Sequence, residues 1–165
     1  MTVSGNDFAD PRLSCLLDYW LEKRGDRPAP LREDIEPLEI PRLLPILHLI
    51  DVVQDPLHFR HRLVGTELVD KMSRDVTGLD VDASLYGDAA PEIIETLKTI
   101  VAEARPYHRL ARLDWYERSW MTMESLELPL LDTDGRVAVI LRGATFGVVR
   151  PPLERRLFFE PLVLE

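Results

Sequence analysis

The sequence predicts an α+β fold: a five-stranded antiparallel sheet in the order 2-1-5-4-3, helices on one face and an N-terminal helix on the other. Three observations lead there. The runs Ile46 to Val53 and Val137 to Leu141 are apolar at odd and even positions alike, which for a period-two element means cover on both faces and a central place. The run His58 to Val64 alternates, with Phe59, His61 and Leu63 on one side, and the run Tyr107 to Glu117 carries Arg109, Arg112, Asp114 and Glu117. Both patterns belong nearer the sheet edges. Between the first two strands and the last three lies one long amphipathic pattern, Asp88 to Arg105.

The 165 residues suit a single domain, 1–165, with an N-terminal helix at about 11–24 and a C-terminal tail at about 150–165. A chain of this length buries roughly 70% of its unfolded surface, enough for a real core. A net charge of -9 argues against nucleic acid as a partner. The start MTVSGNDFADP lacks a secretory profile, and the most apolar stretch is broken by Pro45, His48 and Asp51, so the expectation is a cytoplasmic protein with no membrane partner. One cysteine, Cys15, excludes an internal disulfide and a multi-cysteine zinc site.

Asp10-Pro11 opens the first helix as cap and first-turn proline, Leu13, Leu16, Leu17, Trp20 and Leu21 form its stripe, and Gly25 stops it. That stripe reads as a packing helix for the sheet or as a dimer surface. Five prolines between Asp26 and Pro45 exclude a long helix there, while Ile35, Leu38, Ile40, Leu43 and Leu44 ask for burial, so short helical turns are expected. Gln54 to Leu57 turns the first hairpin, and Thr66 is a candidate cap for a helix with Leu68, Val69 and Met72. Asp88 is a candidate cap for the long helix, whose face is Ile93, Ile94, Leu97, Ile100, Val101 and Ala104 before Pro106. Asp132 to Gly135 turns the last hairpin. After Pro151-Pro152, the apolar residues Leu157, Phe158, Phe159, Leu162, Val163 and Leu164 are expected to fold back; an exposed docking peptide is the alternative.

This order of elements is similar to the PAS fold. EPLEIPRLLP before the first strand, FRHRLVGTELVD across the second strand and its helix, RDVTG, and LPLLDTDGRVAVIL in the closing hairpin resemble a family of compact bacterial PAS-like proteins, over roughly residues 12 to 150. The resemblance implies a sensory or regulatory module in signal transduction that binds a small apolar ligand or a protein partner, with a homodimer as the expected assembly. No output domain fits in this length. Flavin photosensors of the fold carry a cysteine where this chain has RDVTGLD, and haem sensors place a histidine on the long helix, which has none here. Covalent flavin and haem are therefore disfavoured, and no cofactor is identified.

Trp115, Tyr116 and Trp120, with Met123 and Met121, flank the junction of the third and fourth strands. Together with Met72, Leu97 and Val101 they are the candidate lining of a pocket between sheet and helices; plain core packing is the alternative. Arg105, Arg109, Arg112 and Arg118 read as a solvated edge, with an acidic ligand or partner as the other possibility. His58 and His61 fall on opposite faces of a strand and cannot share a metal ion. His48 is read as a buried, hydrogen-bonded core residue, His108 as solvated, and Cys15 as a packing thiol. No nucleophile elbow or phosphate loop occurs, and Gly143 to Gly147 reads as a bulge or close packing point. The competing reading is a cone-shaped α+β enzyme using Asp114, Tyr116 and His108, and a third is a purely structural dimerisation module.

Overall fold

A computed structural model describes residues 8–113, 118–148 and 157–164, with the side chains of 118–120 and 148 outside the description. Asp10 caps α1 (Pro11–Arg24) by accepting the Arg12 N–H at 2.9 Å, Pro11 takes the first turn, and Gly25 ends the helix at positive φ. Short 3-10 turns at Arg32–Asp34, Pro37–Glu39 and Leu44–Ile46 follow, as the prolines require. The chain then forms β1 (Leu47–Val53), β2 (His58–Val64), α2 (Thr66–Met72), α3 (Ala83–Tyr86), α4 (Ala90–Glu103), β3 (Tyr107–Leu113), β4 (Arg118–Leu131), β5 (Val137–Val148) and β6 (Phe158–Pro161).

All pairings are antiparallel, and the sheet order is β2-β1-β5-β4-β3-β6. The expected order therefore holds for five strands, and the tail adds a sixth. It folds back along β3, stacking Phe159 on Tyr107 at 4.4 Å and burying Leu162. The strand from Tyr107 is thus covered rather than an edge.

One side of the sheet is closed by α1. Leu13, Leu16, Leu17 and Trp20 are buried, Leu21 partly so, and the Trp20 indole N–H donates to the Pro129 carbonyl at 3.0 Å. A Cβ on Gly143 would stand 2.4 Å from the Leu16 side chain, so this residue is the close packing point that lets helix and strand meet. The helix stripe is spent on the chain's own sheet. On the other side lie α2, α3 and α4, with Leu68, Ile93, Leu97 and Ile100 buried. A Cβ on Gly65 would come 2.4 Å from the Pro45 carbonyl oxygen, and Gly65, not Thr66, is the residue preceding α2. Asp88 likewise lies in a 3-10 turn and does not cap α4, whose flanking residue is Ala89.

Other expectations fail for physical reasons. A bulge separates Leu49 and Ile50 in their pairing with β2: Leu49 faces Leu63 but Ile50 faces His61, so Arg62 is the extra residue. Phe59 and His61 stay buried, while Leu63 turns outward and is 45% exposed. Cys15 is exposed, because a residue two positions from Leu13 points to the opposite side of a helix whose stripe is Leu13, Leu16, Leu17 and Trp20. Leu38 is 84% exposed on its short turn and Leu44 lies at the surface, whereas Ile40 and Leu43 are buried. His108 is buried, not solvated: Phe8 and Phe158 both meet its ring edge to face, and Glu124 stands 3.4 Å from its Nε2.

Candidate functional site

Strand alternation assigns the site. Because β4 pairs with β5 as Glu127 to Arg142, Ser125 to Ala144 and Met123 to Phe146, these side chains share a face. Gly143, on the opposite parity, meets α1. The same rule puts Arg109 and Ala111 of β3, and His48 of β1, on the face turned toward α2–α4. On that face the structure leaves a cavity with about 60 Å³ of free space. Its walls are Leu68 and Met72 of α2, Arg74 and Val76 beyond it, Tyr86 of α3, Ile93 of α4, and Val64, Ala111, Leu113, Met123 and Phe146 from the sheet. His48, Arg109 and Arg142 complete the lining. Every element on this side contributes.

The polar groups are ordered among these apolar walls. The Arg142 Nε–H is shared between the two Glu127 carboxylate oxygens at 2.8 and 2.9 Å, both residues are buried, and Ser125 donates its hydroxyl to Glu127 at 2.9 Å. Such a pair offsets much of its desolvation only with partners of this kind. His48 Nε2 lies 2.6 Å from His61 Nδ1, and His61 Nε2 lies 2.8 Å from the Tyr86 hydroxyl. Burial, reinforced by the Arg142 charge, holds His48 well below the usual imidazole range. Burial with Arg142 and Arg74 brings His61 to about 4. Both rings are therefore neutral near pH 7, each with one donor and one acceptor nitrogen. Burial raises the Tyr86 phenol, which stays protonated. Arg74 donates to the Leu85 carbonyl at 3.2 Å, tying the loop after α2 to α3. Burial, and then the like charge of Arg142, lowers the proton affinity of Arg109.

Of the pocket residues the sequence points to, Met72 and Met123 line the cavity. Leu97 and Val101 do not: they belong to the packed core farther along α4, and only Ile93 reaches the cavity from that helix. Trp115 and Tyr116 lie outside the described residues, as does the side chain of Trp120, whose backbone is in β4. Asp114 lies outside them too. His108, on the α1 side of the sheet, faces away from the cavity. Of the arginine group, Arg109 lines the cavity instead of a solvated edge, Arg105 donates to the Leu162 carbonyl, and Arg112 is exposed. The side chain of Arg118 is outside the description. No group of three or more His, Cys, Asp or Glu side chains suited to a metal ion occurs among the described residues. No helix among them is long and apolar enough to cross a membrane.

Arg142, Glu127, Tyr86 and Arg74 were not singled out by sequence reasoning. The first two are single charges inside strands otherwise rich in apolar residues, but counting outward from Leu131 opposite Val137 would set Glu127 against Leu141; the register shift between Leu130 and Leu131 is what brings it to Arg142. For Tyr86, at the end of the four-residue α3, and Arg74, beyond α2, no periodic pattern fixes a direction.

A protein-family model described as "PAS domain" matches residues 9–145. No curated protein and no solved structure matches the chain significantly.

Proposed function

The chain belongs to the PAS domain family, and from that premise we propose that it is a sensory or regulatory module that holds a small noncovalent ligand between the sheet and helices α2–α4. The observation that carries this reading is the cavity itself: apolar walls drawn from seven elements, with a few oriented polar groups, as small-molecule sites require. The wall elements also supply a route for a response. α2 and α3 are short, and α3 is held by Tyr86 on His61 and by Arg74 on the Leu85 carbonyl, so a ligand touching Tyr86 and Arg74 bears directly on the position of α3. We read the site as one for binding, not catalysis: both cavity-side histidines are kept neutral and engaged in a closed hydrogen-bond chain, and His108, the imidazole of the enzyme reading, lies on the other face of the sheet. A homodimer or protein partner, the other half of this proposal, would use a surface other than the α1 stripe.

Native mass spectrometry of the protein purified from its own host tests the reading. The expected result is a retained mass that is released on denaturation, read in the same spectrum as the assembly state. A bare chain mass in every preparation would contradict it.

A further inference from the structure

We infer that the cavity is selective for a small amphipathic carboxylate, whose single negative charge is met by Arg109 and whose apolar part lies on Met72, Ile93, Met123 and Phe146. The inference rests on the proposed ligand-binding role and adds the chemical class.

Charge and neighbours lead to it. The chain as a whole carries -9, yet the cavity lining holds Arg74, Arg109 and Arg142 and, among the described residues, no Asp or Glu. Arg142 has its own counter-ion in Glu127, which also takes the Ser125 hydroxyl. Arg109 makes no ion pair and no side-chain hydrogen bond among the described residues; it is half-buried on the same wall, with Glu127 and Glu92 near enough to favour its charge but not in contact with it. Arg109 pairs with Ser125, and Glu127 with Arg142, so the free guanidinium stands two residues along β4 from a satisfied ion pair. A half-buried guanidinium beside a second cation, with its donors open, is a ready seat for an anion. An incoming carboxylate would occupy those donors, since its two oxygens match the planar donor fork of arginine. One guanidinium without a contacting carboxylate, with apolar surface around it, favours a monoanion over a phosphate dianion, whose second charge would lie against apolar walls. The enclosed free space of about 60 Å³ takes the head group and first carbons, and the rest of a longer body extends to the open side of the cavity.

The test compares matched probes on the full chain: hexanoate, hexanol and inorganic phosphate, read by thermal shift and isothermal titration calorimetry. The expected result is saturable stabilisation by hexanoate, with hexanol at least about tenfold weaker and phosphate inactive. Arg109→Met should remove the preference for hexanoate. Equal response to hexanol and hexanoate, or response to neither, would overturn the carboxylate inference; the ligand-binding role falls only with a bare chain mass in native mass spectrometry. Preference for phosphate would overturn the monoanion. If Arg109→Met does not fold, the comparison of hexanoate with hexanol on the natural protein still decides.

Discussion

On the α1 side of the sheet, β4 and β5 present Leu126, Leu128, Leu130, Val139, Leu141 and Gly143 to a helix stripe of leucines and a tryptophan, all buried. Turned through one residue, the same two strands present Ser125, Glu127 and Arg142 to the other side, beside Arg109 and His48. The first face is built as a core is built, by removing apolar surface from water. The second keeps charges in a place where leucine would pack. A sheet needs only the first arrangement to be stable, so the second points to something the fold alone does not require.

Four changes break or sharpen this contrast. The largest effect should come from Trp20→Ala, which empties the centre of the dry face and orphans the Pro129 carbonyl; a loss of about 3–5 kcal/mol in urea unfolding is expected. Glu127→Gln is next, at about 3 kcal/mol, because it leaves the Arg142 charge buried without its anion; the same urea series measures it.

The third concerns pH. His61 is held at about 4 against an ordinary value of 6.5, so the unfolded chain takes up protons first. Its contribution to stability is complete above about pH 6.5 and is lost as pH falls toward 4. His48 shifts in the same direction. Unfolding free energy measured from pH 7 to 4 should therefore fall steadily, and His61→Gln should flatten that fall. The smallest effect is a gain: Ala111→Leu, directed into the cavity, should add about 0.5–2 kcal/mol while abolishing the response to hexanoate.

The two faces also differ in how far the sequence discloses them. The dry face is legible because a stripe and an alternation are periodic: Leu13, Leu16, Leu17 and Trp20 announce their side of the helix, and the doubly apolar strands announce the sheet's centre. The polar face is assembled from single residues on different elements, and periodicity gives each a direction without saying which will meet. Met72 and Met123 could be placed from element order alone. Leu97 and Val101 share the right helix face, but the cavity lies at the other end of that helix, near Ile93. The bulge at Arg62 moved Leu63 outward without a glycine or proline to mark it. β6 escaped notice since four residues after a proline pair carry too little pattern to tell a strand from a packed tail.

The most direct measurement is the equilibrium stability of a ligand-free triple variant, Ser125→Ala with Glu127→Met and Arg142→Met, which replaces the charged rung by apolar groups of similar size. If the polar face is kept for a ligand, the triple variant should be within about 1 kcal/mol of the natural protein or above it. A loss as large as that of Glu127→Gln alone would contradict this, and would make the rung a part of what holds the fold together.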